Sequence, residues 1–295
     1  MSDTLVRGSS MDGTMRVFCA VTTDLVEKAR EIHSSSRVAT AALGRLLTGA
    51  AIMGAAGLKS DTDSITLQID ADGPLGQLIA VTDSKSRVRG YVQSPKAELP
   101  LNDKGKLDVG QAVGNGYLSV IRDLGLKEPY IGRVPLISGE IAEDLTAYYA
   151  QSEQVPTAIA LGVLVSTEDN HVIAAGGYML QLMPGASDEE AKKLEENLAK
   201  MPPVTKMIED GMSAQDIIFA VTEGFSMLLE NKETHPEYRC TCSKERMEKA
   251  LISIGKKELE SLIEEQGEAE LCCHFCNNRY TFGKAELEEL LRQAK

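Results

Sequence analysis

The sequence predicts an α+β protein in three parts: a mixed core domain over residues 1–183, a helical linker over 184–232 and a small C-terminal domain over 233–295. Three observations predict this fold. The core domain contains alternating segments typical of antiparallel strands and one long run of small apolar residues, and most of the cysteines cluster in the last fifth of the chain. With 295 residues and 43% hydrophobic content, the chain is long enough for one substantial domain and a smaller one.

Antiparallel sheets are predicted from segments in which apolar and polar side chains alternate. Residues 64–70, 77–82 and 87–93 follow this pattern and are separated by Gly and Asp. The short turns between them leave little room for crossover helices, so these three strands should form a meander. Residues 157–167 and 171–183 are longer strand candidates, and the short polar connection between them predicts a hairpin.

A helix buried between these layers is predicted for the small apolar residues Val38 to Leu58. Arg45 interrupts the run, and the uncharged part that begins at Leu46 is too short to cross a bilayer as a helix. The many Ala and Gly residues would let the sheets approach closely, whereas Arg45 needs a partner or an exit to water. No membrane partner is therefore expected.

No catalytic constellation is predicted. The glycine-rich pieces 72–76 and 114–116 lack the Lys and Ser or Thr of a P-loop and the strand-to-helix setting of a dinucleotide fingerprint. Residues 34–36 are serines that follow His33, but no nucleophile elbow surrounds them. The glycine-rich pieces are therefore interpreted as turns, and the protein is predicted not to be an enzyme.

Charge and the start of the sequence limit the partners and the compartment. A formal net charge of −13 argues against nucleic acid as a partner, because phosphate binding normally requires a basic surface. The sequence does not open with a positively charged stretch, an apolar core and a small-residue cleavage site. A framework of structural disulfides, which is typical of secreted proteins, is therefore not expected.

Two short helices are predicted in the linker. Ser187 and Glu190 form a capping box at the start of the first helix, and Pro202 ends it. Ser213 opens the second helix, which has an apolar side. Because isolated helices of this length are marginal in water, the linker should depend on docking against a neighbouring part of the protein. If undocked, its apolar stripe would be exposed and able to bind other apolar chains.

The cysteine spacing predicts a zinc site. Cys240 and Cys242 form a C-x-C motif, Cys273 and Cys276 form a C-x-x-C motif, and the chain between the motifs is long enough to return and bring four sulfurs around one ion. Four thiolates in a tetrahedron suit Zn²⁺. Because the segment has few large apolar residues, zinc should supply much of its stability, with three short helices packed around the site and aromatic anchors at Tyr280 and at Phe282.

Other cysteines and histidines are alternatives for these roles. Cys272 could replace Cys273, but the two-residue gap of a C-x-x-C motif fits the tight turn of a zinc knuckle better. His274 lies inside the knuckle loop and His235 precedes the first motif, so both are expected to be bystanders. Cys19 lies in an apolar run and is interpreted as a small core residue.

With these motifs identified, the sequence strongly resembles the bacterial redox-regulated heat-shock holdases known as the thirty-three-kilodalton chaperonin family. The resemblance is carried by the C-x-C motif with the following residues 243–246, by the C-x-x-C motif, and by the order of the three parts. Cys272 is the one departure. Further stretches that carry the resemblance are Ala41–Arg45, Gly73–Gly76, Ala174–Tyr178 and Gln181–Gly185.

The resemblance implies an ATP-independent chaperone in the cytoplasm that is inactive while reduced and zinc-loaded. It implies that Cys240, Cys242, Cys273 and Cys276 are zinc ligands in the reduced state. It also implies that oxidation pairs Cys240 with Cys242 and Cys273 with Cys276, and that zinc then leaves. The activated molecules would bind unfolding client proteins and tend to form homodimers.

Two other functions fit the residues without the resemblance. A static zinc ribbon could mediate a protein contact on behalf of an α/β effector domain, since cysteine spacing alone is compatible with it. An enzyme with a site in the α/β domain and a purely structural zinc is the third candidate. Retention of zinc under mild oxidant would favour either of these over a redox switch.

Overall fold

The structure, a computed structural model, describes residues 2–231 and 233–294. The chain divides into two compact units, a large unit, Met1–Arg239, and a small unit, Cys240–Lys295. Three terminal residues of the expected segments lie outside the described residues: Met1, Lys232 and Lys295. The residues expected to form a linker belong to the large unit. The division into three parts by function stays a prediction.

The first sheet of the large unit consists of β1 (Thr4–Ser10), β2 (Met15–Val21), β8 (Thr157–Val165), β9 (Val172–Leu182) and β10 (Met227–Leu229). The strands lie in the order β10-β1-β2-β9-β8, and every neighbouring pair is antiparallel. The predicted hairpin is confirmed as β8 and β9. The apolar run around Cys19 is β2, in which every residue except Arg16 is buried.

The second sheet contains the predicted meander. Its strands are β3 (Ser64–Ala71), β4 (Leu78–Asp83), β5 (Arg87–Val92), β6 (Gly116–Asp123), β7 (Tyr130–Pro135) and β11 (Glu237–Tyr238). They lie in the order β11-β5-β4-β3-β6-β7. The meander β3-β4-β5 is antiparallel, as predicted, whereas β11 runs parallel to β5.

Helix α2 (Arg37–Gly57) contacts both sheets and fills the space between them, which confirms the buried helix. Its glycines allow this close approach to the sheets: a Cβ at Gly44 would lie 2.9 Å from Val163 Cγ2 of β8, and one at Gly54 would lie 2.9 Å from Thr82 Cγ2 of β4. Arg45 finds its partner in an ion pair with Glu140. In residues 2–231 and 233–294, α2 is the one helix long and apolar enough to span a membrane, and 89% of its most apolar window is buried inside the protein.

The other helices of this core are α1 (Thr23–His33), α3 (Val109–Val113) and α4 (Ala142–Tyr148), and a π-helical turn, Tyr149–Glu153, follows α4. Asp144 determines the start of α4, because its carboxylate accepts hydrogen bonds from the backbone N–H groups of Ile137, Ser138 and Ile141. The glycine-rich piece 72–76 forms the turn between β3 and β4, as expected. Residues 114 and 115 connect α3 to β6, and Gly116 is the first residue of that strand.

Three helices cover the face of the first sheet that points away from α2. They are α5 (Asp188–Lys200), α6 (Val204–Glu209) and α7 (Ala214–Val221). The capping box predicted at Ser187 is formed, and Ser213, which was predicted to open the second helix, forms a capping box as well. Helix α6, which was not predicted, begins directly after Pro203. The shared apolar layer contains, from the helices, Leu194, Val204, Met207, Ala214, Ile217, Ile218 and Val221, and from the sheet, Val6, Met15, Val17, Cys19, Val21, Tyr178 and Leu180.

The described residues just before the small unit are tied to both sheets of the large unit. Thr234 forms a bridge with Leu5 of the first sheet, with N···O distances of 2.7 and 3.1 Å. Strand β11 follows and pairs with β5 of the second sheet. The Tyr238 hydroxyl donates a hydrogen bond to the Gly90 carbonyl at 2.7 Å. The chain is therefore anchored in the large unit up to the residue before Cys240.

The small unit has one hairpin and three short helices. They are β12 (Glu268–Cys272), β13 (Arg279–Gly283), α8 (Lys244–Ser253), α9 (Lys256–Glu265) and α10 (Lys284–Gln293). The strands are antiparallel, as expected for a knuckle between two short strands. The unit's buried apolar side chains form one cluster, hereafter the small cluster: Leu251, Leu259, Ile263, Ala269, Phe282, Leu287 and Leu290.

Candidate metal centre

The C-x-C motif lies in the irregular segment that leads into α8. Ser243, the residue after Cys242, caps this helix, with its hydroxyl 3.4 Å from the Arg246 amide nitrogen. The Arg246 guanidinium donates in turn to the Thr241 hydroxyl at 2.9 Å. The sulfurs of Cys240 and Cys242, which flank Thr241, both lie in the sulfur cluster.

The C-x-x-C motif forms the turn between β12 and β13. The Cys273 amide donates to the Asn278 carbonyl at 2.9 Å, and the Cys273 carbonyl accepts from the amides of Cys276 at 3.2 Å and Asn277 at 2.8 Å. Asn277 has a left-handed backbone with a φ of 57°, a conformation that Asn tolerates better than most residues. The backbone thus wraps around the turn and presents Cys273 and Cys276 on the same side.

The four predicted sulfurs lie together. The Sγ atoms of Cys240 and Cys273 are 3.6 Å apart, those of Cys242 and Cys276 are 3.4 Å apart, and all four lie within 4.8 Å of one another. Four sulfurs bound to zinc at about 2.3 Å in a tetrahedron would be about 3.8 Å apart. The donor set and its spacing therefore fit a tetrahedral zinc ion, and all four are free thiols able to ligate it.

The alternative ligands lie elsewhere. Cys272 is the last residue of β12, paired with Arg279, and its side chain is exposed, whereas the adjacent Cys273 is buried. His274 is exposed in the knuckle. In the large unit, Cys19 is buried in β2, and the Nδ1 atom of His235 lies 3.0 Å from the Asp3 carbonyl oxygen. Among the described residues, the sulfur cluster contains the four predicted cysteines without these alternatives.

The thiols of the cluster differ in how readily they ionise. Burial raises the pKa of Cys240 to about 11 and also raises the pKa of Cys276. Burial opposes ionisation of Cys242 as well, but hydrogen bonds from the Tyr280 hydroxyl and the neighbouring thiols lower its pKa. The surrounding groups thus stabilise negative charge on Cys242. A bound divalent cation is what would hold all four as thiolates.

Tyr280 has a role that the sequence analysis did not predict. Its hydroxyl lies 3.1 Å from the Cys242 sulfur, and this hydrogen bond, together with burial, raises the pKa of Tyr280 to about 12. The sequence analysis identified Tyr280 only as an aromatic anchor. Its position four residues after Cys276, on the strand that leaves the knuckle, was the available signal. Phe282, the other expected anchor, is 1% exposed in the small cluster.

Comparisons with known proteins cover nearly the whole chain. The sequence model of the family described as Hsp33 protein matches residues 3–283. A 33 kDa chaperonin from Ruminiclostridium cellulolyticum is 49% identical over 294 residues, covering 99% of both chains. A 33 kDa chaperonin from Clostridioides difficile is 48% identical over 295 residues, covering 99% of this chain and 100% of the relative.

The fold agrees with these sequence matches. The crystal structure of a 33 kDa chaperonin, a heat shock protein 33 homolog from Thermotoga maritima, superposes with a TM-score of 0.89 at 39% identity and covers 98% of each chain. A likeness that spans both units, at this level of identity, goes beyond a shared fold. The chain belongs to the Hsp33 protein family.

Proposed function

We propose that this protein is a redox-regulated, ATP-independent holdase of the cytoplasm, which binds unfolding client proteins after oxidation has removed a zinc ion. The family and the names of its relatives support chaperone activity rather than enzymatic turnover. The observation that carries the redox step is the arrangement of four free thiols, supplied by two distant chain segments and lying within 4.8 Å of one another. The same four atoms could hold zinc when reduced and form disulfides when oxidised.

In the reduced state, Cys240, Cys242, Cys273 and Cys276 would be the zinc ligands. Zinc would keep them as thiolates, the form that oxidants attack, while supplying folding free energy to the small unit. The small cluster is the unit's own apolar core, and among the described residues it contains seven buried side chains. Zinc would therefore be the main support of this unit's fold.

Oxidation would pair Cys240 with Cys242 and Cys273 with Cys276. For each pair, two thiolates lose two electrons to one hydrogen peroxide, which is reduced to two hydroxide ions as the S–S bond forms. Disulfide sulfurs are no longer thiolate ligands, so zinc leaves. The Cys240–Cys242 bridge would close a small ring of unfavourable geometry, which makes it easily reduced and the switch reversible.

Helices α5, α6 and α7 are the proposed conditional element. They contribute short apolar stripes to the layer on the first sheet, and the chain that follows them passes through Thr234 and β11 to the zinc site. We propose that unfolding of the small unit loosens this connection and then the helices. Their release would expose both the stripes and the sheet face beneath them, which is apolar surface of the kind that captures unfolded chains.

The partners follow from this surface. Unfolded or partly folded polypeptides are the expected clients, and a second oxidised copy could cover part of the same apolar surface in a homodimer. The formal charge of −13 makes nucleic acid an unsuitable partner. Helix α2 is core structure rather than a membrane anchor, because its apolar window is 89% buried.

The test measures client aggregation and zinc release together. A chemically unfolded client is diluted into reduced, zinc-loaded protein or into peroxide-treated protein, while light scattering reports aggregation and a zinc indicator reports release. We expect suppressed aggregation only after zinc leaves. Retained zinc, or release without suppression, would contradict the redox switch and favour a static zinc module.

Two adjacent cysteines provide a matched pair of variants for the same assay. Cys273→Ser removes a buried sulfur of the cluster, so zinc should be bound weakly and peroxide control should be lost. Cys272→Ser changes an exposed thiol outside the cluster and should leave zinc binding and peroxide control as in the unchanged protein. Equal behaviour of the two variants would refute the proposed ligand set.

A further inference from the structure

The apolar layer between the first sheet and helices α5, α6 and α7 is rich in methionine. Five of the chain's eleven methionines lie in this layer or pack against it: Met15, Met201, Met207, Met212 and Met227. A methionine side chain fills irregular gaps in a core, but its thioether sulfur can be oxidised to a polar sulfoxide. The layer that holds the proposed conditional element in place therefore contains oxidisable atoms of its own.

These methionines differ in how far an oxidant can reach them. Met15 and Met207 are buried, whereas Met201, Met212 and Met227 are half-buried and pack against the buried side chains of the layer. Met227 also lines an open surface groove of about 520 Å³, together with residues of α7. The three half-buried side chains are therefore the ones that a small oxidant reaches before the layer opens.

Cys19 lies in the same layer but is not a competing target. Its side chain is 0% exposed, and burial raises the pKa of its thiol. Because the thiolate is the form of cysteine that oxidants attack, this thiol is protected twice, by burial and by its proton. Oxidation of the layer would thus begin at methionine.

The three half-buried methionines lie where helices end or where the chain returns to the sheet. Met201 caps the end of α5, and its amide donates to the Leu198 carbonyl at 3.2 Å. Met212 follows α6, and its amide donates to the Met207 carbonyl at 3.0 Å. Met227 is the first residue of β10, which pairs with β1. A change in any of these side chains therefore acts at a point where the helices are attached to the large unit.

We propose that Met201, Met212 and Met227 form a second oxidation site, and that their conversion to sulfoxides loosens α5, α6 and α7 while zinc stays bound. A sulfoxide oxygen is a hydrogen-bond acceptor, and placing it against an apolar layer without a donor is unfavourable. The oxidised side chains would turn towards water and leave the layer. The inference deepens the proposed function and rests on it, because it takes these helices as the element whose release exposes client-binding surface.

The oxidant that we name for this step is hypochlorous acid. In net terms, each thioether sulfur gives two electrons to hypochlorous acid and gains one oxygen atom, while the O–Cl bond breaks and chloride and a proton are released. No cysteine takes part. A thiol reductant reverses disulfides but leaves the sulfoxides, which methionine sulfoxide reductases remove. The zinc site and the methionine site would thus be reset by different reductants.

The experiment uses the full chain after its zinc site has been restored. The protein is treated with hypochlorous acid and then with a thiol reductant and zinc, at a dose from which the thiol and zinc contents recover fully. Mass spectrometry locates the sulfoxides and measures amide exchange. We expect sulfoxides at all three positions, about tenfold faster exchange in α5 to α7, and suppressed client aggregation with zinc bound. Unchanged exchange in a protein that carries the three sulfoxides would overturn the proposal.

A leucine variant and a matched control show which methionines are responsible. Met201→Leu, Met212→Leu and Met227→Leu together keep apolar side chains of similar volume, so the fold should be retained. After the same treatment, α5 to α7 of this variant should exchange as in the untreated protein. Met11→Leu replaces a methionine that is 69% exposed in the turn between β1 and β2, and it should respond like the unchanged protein. Equal responses of the two variants would contradict the assignment.

A polar substitution tests the structural step without an oxidant. Met212→Gln places an amide of similar length against the layer in the reduced, zinc-loaded protein, and exchange in α6 and α7 should become faster. Met11→Gln makes the same chemical change at an exposed position and should leave exchange in these helices unaltered. Equal exchange in the two variants would show that the layer tolerates a polar group at Met212, and the proposal would fail.

The outcomes separate this inference from the proposed function. If zinc loss activates the protein while the sulfoxide form with restored zinc is inactive and protected, the inference fails and the proposed function stands. If zinc loss gives no holdase activity while the sulfoxides still accelerate exchange in α5 to α7, the zinc switch fails and the methionine site stands. Three positions that stay unoxidised while Met11 is oxidised would overturn the inference as well.

Discussion

The two units of this protein are stabilised in different ways. In the large unit, a long helix lies between two sheets, and a second apolar layer joins the first sheet to three helices. In the small unit, a hairpin and three short helices share one small cluster, and four thiols converge at one end of the hairpin. The large unit is stable through apolar burial, whereas the small unit is proposed to depend on a zinc ion that oxidants would remove. On this proposal, stability and responsiveness are assigned to different parts of one chain.

Removing the metal should produce the largest difference between the units. A chelator at neutral pH should unfold the small unit, because structural zinc contributes on the order of 10–16 kcal/mol in small zinc-finger peptides. Amide exchange measured by mass spectrometry should show lost protection in β12, β13 and α8 to α10, and retained protection in α2 and β9. Retained protection in the small unit after complete zinc removal would contradict the comparison.

The small cluster should be needed even when zinc is bound. Phe282→Ala removes its most buried aromatic ring, and a loss of about 3–5 kcal/mol is expected for such a change. Denaturant unfolding of the zinc-loaded protein, monitored in the small unit, would measure it. Phe275→Ala, at a half-buried position in the knuckle, is the matched control and should cost less. Equal losses would mean that the cluster is not the centre of this unit's packing.

Helix α7 should be the part of the large unit that is most easily released. Ile217→Ala removes a fully buried side chain from the layer on the first sheet, with an expected cost of about 2–5 kcal/mol. Amide exchange in α5 to α7 should increase while α2 stays protected, and less oxidant should be needed for holdase activity. Phe219→Ala changes a side chain of the same helix that is 52% exposed, so it should leave exchange in α7 unchanged.

A small pH effect is expected where the chain leaves the large unit. Burial lowers the pKa of His33 despite the opposing hydrogen bond with the Gly90 carbonyl, and its Nε2 atom also lies 3.2 Å from the Tyr238 hydroxyl. The unfolded chain then binds a proton more readily than the folded one, with an ordinary pKa near 6.5. The contribution of neutral His33 to the free energy of unfolding is therefore fully present above that pH. It is lost as the pH falls through the pKa of His33 in the folded protein.

Denaturant unfolding of the metal-free protein between pH 7.5 and 5.5 would measure the His33 effect without proton competition at the thiols. His33→Gln should remove the contribution of His33 to the slope of the unfolding free energy against pH. Asp3 changes this slope in the opposite sense, because burial raises its pKa to about 6. The effect of His33 is therefore measured as the difference in slope between the variant and the unchanged protein. An identical slope in His33→Gln would show that His33 does not contribute.

Sequence patterns predicted the features that short segments encode. The buried helix, the meander, the hairpin, the capping box at Ser187 and the positions of the four cysteines each have a local signature. Strand β2 has none, because it is buried on both faces and so lacks alternation, and β11 is only two residues long. The contact between Tyr280 and Cys242 depends on how the chain returns to the C-x-C motif. A hydrogen bond between side chains so far apart in sequence leaves no periodic signal.

The assignment of strands to the two units has a consequence for how such a protein can evolve. Strand β11 and both large sheets lie wholly before Cys240, and the β12–β13 hairpin lies wholly after it. Among the described residues, each strand pairs with strands of its own unit, and the peptide bond between Arg239 and Cys240 divides the two sets of strands. A gene fusion, a domain exchange or a truncation at this bond would leave every strand of the large unit with its partners. The proposed sensor would therefore be a replaceable module.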